Sequence, residues 1–133
     1  MKIRFGLIGF GRWGNHHARA IVNSKGAKLV AVSAKSEKSC RRAKERFGVD
    51  TYSEYRDMLK REDIDIVDIV IPNYLHKQVT VDALNHGKHV LLEKPMALTV
   101  EECNVILKAV KKNKKILHIG FEMRISPVWK KVK

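Results

Sequence analysis

The chain has 133 residues, of which 44% are hydrophobic and only three are proline, which is typical of one folded domain and argues against disorder. Its 27 Lys and Arg residues against 14 Asp and Glu residues give a formal net charge of +13, so anionic partners have to be considered. The basic stretches at 41–46 and 111–115 fall on predicted helix faces or ends and coincide with no nucleic-acid-binding module. We therefore expect no nucleic acid partner.

The remaining bulk features point to a chain that works inside the cell. Cys40 and Cys103 are far apart and lie in helical patterns, which indicates neither a disulfide framework nor a thiolate metal site. The six histidines show no metal-ligand spacing. The N-terminal residues lack the pattern of a signal peptide, and no apolar run approaches the length of a membrane span. We expect a cytoplasmic protein with neither a metal nor a membrane partner.

Short apolar runs alternate with amphipathic helical patterns along the chain. Strands are predicted at 3–8, 27–34, 49–52, 64–71, 88–93 and 115–121. Helices are predicted between them, at 13–24, 36–48, 53–63, 74–86 and 99–114, and Ser126 with Pro127 has the composition of a further helix start. This alternation predicts an α/β fold with a doubly wound, mainly parallel sheet between two helical layers, three layers in all.

A glycine-rich turn follows the first predicted strand and opens the first predicted helix. Gly9, Gly11 and Gly14 have the G-x-G-x-x-G spacing of Rossmann-fold dinucleotide sites, with Phe10, Arg12 and Trp13 between them. The first glycine permits the tight turn, the second lets the backbone approach a pyrophosphate, and the third lets the helix pack closely on the strand. The helix N-terminus then offers unpaired N–H groups to the phosphates. We expect these six residues to bind a nicotinamide dinucleotide.

The end of the second strand bears on which dinucleotide is bound. NAD sites place an acidic residue about 20 positions after the glycine turn, where it bonds the ribose hydroxyls. This chain has Ala34 at that place and no carboxylate, and Ser33, Lys35, Ser36 and Lys38 around it offer hydroxyls and cations. We expect these five residues to bind the adenosine ribose. The pattern favours NADP over NAD, because these groups can bind a 2′-phosphate. The alternative is that the lysines are ordinary surface residues and that Glu37 bonds the ribose.

Three stretches together resemble the Gfo/Idh/MocA family, named for glucose-fructose oxidoreductase, inositol dehydrogenase and rhizopine catabolism. They are GLIGFGRWGNHHARA near the start, IPNYLHKQVTVDALNHGKHVLLEKPMALTVEEC in the middle and GFEMRISPVWKKVK at the end. The resemblance covers essentially the whole chain. Its most specific part is the triplet Glu93, Lys94 and Pro95, which follows the fifth predicted strand.

The resemblance implies roles for residues near the reacting end of the cofactor. Lys94 would lie beside the nicotinamide and the substrate as the catalytic lysine, with Glu93 next to it, and the Lys94–Pro95 bond would be cis. Pro72 and Asn73 would lie under the nicotinamide. His76 is interpreted as a packing or cofactor-neighbouring residue, and the adjacent pair at 16–17 as surface or interface histidines of the first helix.

The resemblance also implies a second domain. Residues 1–123 would form the dinucleotide-binding domain, and 124–133 would begin the connection to a mostly β domain, absent from this chain, that binds the sugar, polyol or cyclitol and supplies an Asp and a His for proton transfer. Glu122 departs from the neutral polar residue expected there. We expect hydride transfer between NADP(H) and such a substrate, no turnover by this chain alone, and self-association through uncovered apolar surface. The alternative is a stand-alone nucleotide-binding or redox-sensing module.

Overall fold

The computed structural model describes residues 1–132, whose strands form one six-stranded parallel sheet in the order β3-β2-β1-β4-β5-β6. The strands are β1 Ile3–Ile8, β2 Ala27–Ser33, β3 Asp50–Tyr52, β4 Ile66–Ile69, β5 His89–Glu93 and β6 Leu117–Gly120. The helices are α1 Arg12–Asn23, α2 Glu37–Phe47, α3 Tyr55–Leu59, α4 His76–Asn85, α5 Val100–Asn113 and α6 Pro127–Val132. The predicted alternation and the parallel sheet are confirmed. Lys133 lies outside the described residues.

Local side-chain chemistry sets several helix boundaries. The hydroxyl of Ser36 accepts a hydrogen bond from the Ser39 N–H at the start of α2, and Gly48 ends that helix with a φ of +64°. Thr99 caps α5 in the same way by accepting from the Glu102 N–H. Pro127 is the first residue of α6, where a proline costs no hydrogen bond. These boundaries agree with the sequence patterns.

Helix α3 is shorter than the predicted helix at 53–63. A helix that ran to Asp63 would pair the N–H of Arg61 with the carbonyl of Asp57. In the structure this N–H donates to the carbonyl of Met58 at 3.2 Å, because the helix ends at Leu59. The Lys88 ammonium then donates to the Arg61 carbonyl, and Ile64 turns into the core, where it is 3% exposed.

Two apolar cores lie on the two faces of the sheet and confirm the three layers. One core, which includes Leu7, Ala18 and Val32, packs β1 and β2 against α1 and α2. The other packs α3, α4 and α5 against the opposite face, with Leu84 and Leu92 fully buried in it. Side chains of neighbouring strand residues alternate between these cores because successive residues of a strand point to opposite faces.

One half of one sheet face carries no helix in the described residues. Right-handed crossovers place α1 and α2 on one face as the chain moves from β1 to β3, and place α4 and α5 on the other face as it moves from β4 to β6. The face that α1 and α2 occupy is therefore left uncovered over β4, β5 and β6. Two grooves mark this uncovered half-face, and their lining includes Phe5, Ile66, Leu91, Ile116 and His118.

The order of the strands also determines where a ligand can enter. The chain leaves β1 towards β2 on one side and returns to β4 on the other, so the loops after β1 and β4 diverge at the carboxyl ends of these strands. Open α/β sheets bind their ligands at such a point. No helix within residues 1–132 is long and apolar enough to cross a membrane.

Candidate functional site

A cavity of about 790 Å³ lies at the carboxyl ends of β1, β2, β4 and β5. Its volume is within the usual range for small-molecule and cofactor sites. It is lined by the glycine turn, the end of β2, the first residues of α3, the loop after β4 and the loop after β5. The lining brings together most of the predicted site residues: Gly9, Phe10, Gly11, Arg12, Trp13, Gly14, Ser33, Ala34, Lys35, Ser36, Pro72, Glu93 and Lys94.

The three glycines of the turn meet different surroundings. A Cβ on Gly9 would lie 2.0 Å from the carbonyl oxygen of Val70, and one on Gly14 would lie 2.0 Å from the carbonyl oxygen of Gly9. Gly9 also has a φ of +100°, which favours glycine. A Cβ on Gly11 would meet no atom of residues 1–132 within 4 Å. Two glycines thus permit close backbone packing, whereas Gly11 leaves open space beside the cavity.

The N-terminus of α1 has the features of an anion site. Gly11 is the N-cap, no side chain of the described residues caps the helix, and its first turn carries no acidic residue. Its free N–H groups and partial positive charge therefore face the cavity uncompensated. Arg42, which the sequence analysis did not select, donates to the carbonyl of Phe10 at 3.0 Å and lies over its ring. The guanidinium adds positive charge behind the turn.

The end of β2 forms another part of the cavity wall. Ser33 and Ala34 are buried, whereas Lys35 and Ser36 are exposed. The carbonyl of Ser33 accepts from the Gly9 N–H at 2.8 Å, which joins this strand end to the glycine turn. Lys38 is exposed and does not line the cavity. The end of β2 presents no carboxylate at the position of Ala34.

Lys94 reaches the cavity from the loop after β5. Lys94 and Pro95 are exposed, and the peptide bond between them is cis, as the resemblance implied. The carboxylate of Glu93 is largely buried, and its Oε2 accepts from the backbone N–H of Lys94 at 3.1 Å. The exposed ammonium of Lys94 therefore belongs to a residue whose backbone N–H is bound by Glu93.

Three histidines near the site have different environments. His76 is 1% exposed and lies behind the cavity wall, with its ring nitrogens 2.7 Å and 3.0 Å from the carbonyl oxygens of Pro95 and Ile71. It is a packing residue of the site and does not line the cavity. His16 is exposed, as expected. His17 is half-buried, lies between the carboxylates of Asp68 and Glu93 and lines a groove of the uncovered half-face.

Some predicted residues lie outside the cavity, and others in its wall were missed. Three of the predicted site residues do not line the cavity: Lys38, Asn73 and His76. Glu122 lines a groove of the uncovered half-face instead. The missed lining residues include Tyr55, Arg56, Tyr74 and Gln78. Tyr74 directly follows Pro72 and Asn73, which is the one local signal that pointed to it.

A polar network between α3 and α4 supports the rim of the cavity. The hydroxyl of Tyr55 donates to Asp82 at 2.6 Å, and the Arg56 guanidinium lies 3.0 Å from the same carboxylate. Partial burial and the bond to Asp82 raise the pKa of Tyr55, so its phenol stays protonated at neutral pH. Gln78 donates to the other oxygen of Asp82. The network holds the short helix α3 against α4.

Comparison with known proteins gives concordant results. A family model described as an oxidoreductase family with an NAD-binding Rossmann fold matches residues 3–121. Inositol 2-dehydrogenase from Salmonella typhimurium strain LT2 is 33% identical over 128 residues, covering 93% of this chain and 38% of that protein. The structure of myo-inositol 2-dehydrogenase from Lactobacillus plantarum matches with a TM-score of 0.93 and 36% identity, covering 99% of this chain and 40% of that one.

A third similar protein has been solved with bound ligands. The WlbA dehydrogenase from Bordetella pertussis, in complex with NADH and UDP-GlcNAcA, matches with a TM-score of 0.95 and 30% identity. The match covers 100% of this chain and 41% of that one. The chain therefore spans only 38% to 41% of the length of these three proteins.

The surroundings of the glycines predict that one Gly→Ala substitution lowers stability and that a matched one lowers dinucleotide affinity. Gly14→Ala forces its Cβ against the Gly9 carbonyl and should lower the free energy of unfolding by about 1–3 kcal/mol. Gly11→Ala meets open space and should change it by less than about 1 kcal/mol while weakening dinucleotide binding. Urea unfolding and calorimetric titration measure the two effects. Unchanged dinucleotide affinity in Gly11→Ala would show that no ligand approaches this glycine.

Proposed function

This chain belongs to the Gfo/Idh/MocA oxidoreductase family, and we propose that its cavity binds a nicotinamide dinucleotide for hydride transfer to or from a sugar, polyol or cyclitol. The observation that carries the proposal is the continuity of the cavity, which connects Gly11, the end of β2 and Lys94. A dinucleotide needs a site for its pyrophosphate, a site for its adenosine ribose and a reactive end beside the substrate. One cavity offers all three.

The residues present fit the cofactor. The open face of Gly11 and the uncapped N-terminus of α1 suit the pyrophosphate, because N–H groups there lack partners within the helix. Ser33, Lys35 and Ser36 suit the adenosine ribose and its substituents. Pro72, together with Glu93 and Lys94, bounds the opposite end, where the nicotinamide would lie. When bound, that ring accepts or supplies the hydride.

Lys94 is the proposed catalytic residue of this chain. Its ammonium is exposed at the cavity, so it can donate a hydrogen bond to a hydroxyl or keto oxygen and exchange a proton with it. Two of the similar proteins are named as inositol 2-dehydrogenases, and the third was solved with a nucleotide sugar, UDP-GlcNAcA. These names support a substrate with a ring hydroxyl, and they leave its identity to experiment.

Residues 1–123 are the proposed cofactor domain. Residues 124–133, in which α6 lies, are the proposed start of a connection to a second domain. The uncovered half-face supports such a partner domain, because apolar side chains from β4, β5 and β6 are left without a covering helix there. Substrate recognition would come largely from that domain.

The 133-residue chain should bind a dinucleotide without turning over a polyol. Lys94 is open to solvent, whereas hydride transfer needs an oriented and enclosed substrate. Absorbance at 340 nm during incubation with NAD or NADP and myo-inositol measures reduced cofactor directly. Steady production that Lys94→Ala abolishes would contradict the prediction and make this chain a complete enzyme.

The proposed cofactor preference is for NADP over NAD. No carboxylate stands at the end of β2, where Ser33, Lys35 and Ser36 can form two or three charge-assisted hydrogen bonds to a 2′-phosphate, each worth about 1.5–3 kcal/mol. Ala34→Asp should reverse the preference, because its carboxylate can bond the ribose hydroxyls and repels the phosphate. Calorimetric titration of NADPH and NADH into both proteins measures the affinity ratio.

A matched control separates this local effect from a change in net charge. Asn104→Asp adds the same negative charge on the exposed face of α5, away from the cavity and from both grooves, and should leave the ratio of NADPH to NADH affinity unchanged. Equal affinities in the parent protein, or the same ratio in Ala34→Asp, would mean that the basic residues are solvated surface and that Glu37 or another group selects the cofactor.

Self-association is proposed for the isolated chain through the uncovered half-face. Apolar burial favours it and the net charge of +13 opposes it, so association should increase as salt screens the repulsion. Leu91→Asp, in the uncovered half-face, should abolish association, whereas Leu107→Asp, exposed on α5, should not. Sedimentation velocity at low and high salt measures this, and a monomer at every concentration would contradict it.

A further inference from the structure

The residues on both sides of Lys94 are each bound by a histidine. Glu93, before it, contacts His17 of α1, and Pro95, after it, contacts His76 of α4. Helices α1 and α4 pack on opposite faces of the sheet. Lys94 itself is exposed and makes no side-chain hydrogen bond within the described residues. The position of its ammonium therefore depends on how firmly its two neighbours are held.

His17 joins three elements through its two ring nitrogens. Its Nδ1 lies 2.8 Å from Oδ2 of Asp68 in β4, and its Nε2 lies 3.1 Å from Oε1 of Glu93 in β5. The other oxygen of Glu93 accepts from the N–H of Lys94 at 3.1 Å. A continuous path of hydrogen bonds thus runs from the buried Asp68 through the imidazole to the backbone of Lys94.

The charges in this path favour a doubly protonated imidazole at His17. Ionised carboxylates only accept hydrogen bonds, so both ring nitrogens must donate. The hydrogen bond to Asp68 raises the pKa of His17, the charge of Glu93 adds to the effect, and partial burial opposes it. Asp68 is 1% exposed, and its Oδ1 has no hydrogen-bond partner among residues 1–132. A doubly protonated His17 would offset the charges of these two largely buried carboxylates.

His76 forms a second link, on the other face of the sheet. Its Nδ1 lies 2.7 Å from the carbonyl oxygen of Pro95, and its Nε2 lies 3.0 Å from that of Ile71. Ile71 precedes Pro72 and lines the cavity, so this ring joins the loop after β4 to the loop after β5. Because the side chain is fully buried, solvent cannot replace either contact.

We propose that His17 and His76 are positioning residues that restrain the backbone on either side of Lys94 and so determine where its ammonium lies in the cavity. Neither ring touches the region proposed for the cofactor, so each acts through a neighbour of Lys94. The inference rests on the catalytic role proposed for Lys94, but the restraint of the backbone is a property of the free chain and can be measured without a ligand.

Asn and Gln substitutions separate the two ring-nitrogen contacts of each histidine. The amide nitrogen of Asn falls near the position of Nδ1, and that of Gln falls near Nε2. His17→Gln therefore keeps the contact with Glu93, whereas His17→Asn keeps only the contact with Asp68. His76→Asn keeps the contact with Pro95, whereas His76→Gln keeps only the contact with Ile71. In each pair, one variant retains the contact with the residue next to Lys94: His17→Gln with Glu93, and His76→Asn with Pro95.

The restraint is measured by NMR hydrogen exchange at the amide of Lys94. Exchange should accelerate by about tenfold in His17→Asn and His76→Gln, the effect of one lost charge-assisted or buried hydrogen bond, and by less than about threefold in His17→Gln and His76→Asn. The amide of Leu92, in β5, serves as the internal reference for general destabilisation and should change equally within each pair.

Equal Lys94 exchange within both pairs, or parallel acceleration at Leu92, would overturn the proposal and make the histidines purely structural. A difference in one pair only would overturn it for the other histidine. If His17→Gln fails to fold because Asp68 loses its partner, the role of His17 is tested by comparing Lys94 exchange in His17→Asn with that in the parent protein. The His76 pair still tests the role of His76.

Affinity for NADPH and for its nicotinamide-free fragment, 2′-phospho-ADP-ribose, links this result to the site. His17→Asn and His76→Gln should weaken NADPH binding by about threefold or more and leave the fragment unaffected, since only NADPH reaches Lys94. Equal losses for both ligands would contradict the positioning role. A parent chain that binds neither ligand would refute the proposed function, while the exchange result would still decide whether the histidines restrain Lys94.

Discussion

The structure depends on the close approach of two backbones at the start of α1. The helix lies against the turn after β1 without a side chain between them: a Cβ at Gly14 would lie 2.0 Å from the carbonyl oxygen of Gly9. Dispersion forces stabilise this contact between helix and turn, and only a residue without a Cβ permits it at Gly14. The approach brings the N-terminus of α1 to the carboxyl edge of the sheet, where β1 and β4 diverge and the cavity opens.

The same approach determines what the rest of α1 can contact. One turn after Gly14, the ring of His17 comes between Asp68 of β4 and Glu93 of β5. The helix that offers N–H groups to the cavity therefore also binds the last residue of the strand that precedes Lys94. Helix α1 thereby contacts elements at both ends of the proposed cofactor site. Because the crossovers are right-handed, α1 lies at the border of the uncovered half-face. A partner domain on that half-face would reach the carboxyl edge of the sheet, where the cavity opens.

Local patterns were sufficient for the fold and for much of the cavity. The glycine turn, the apolar runs and caps such as Ser36 and Gly48 are short-range signals, and the structure confirms the elements they predicted. The turn after α3 was missed because it contacts Lys88, which is distant in sequence. His17 shares a helical face with the buried Gly14 and Ile21, a signal for burial that was available, but its partner Asp68 is 51 residues away and belongs to no local motif.

The most direct test of this account is an NMR titration of the isotope-labelled chain with NADPH. The amides of Gly11, Ser36 and Lys94 should shift together in one saturable binding event, because one cavity joins them. Gly26 and Gly87, which are exposed at the opposite edge of the sheet, should not shift. Saturable shifts confined to Gly26 and Gly87, or no shifts at any concentration, would contradict the conclusion that this cavity holds a nicotinamide dinucleotide.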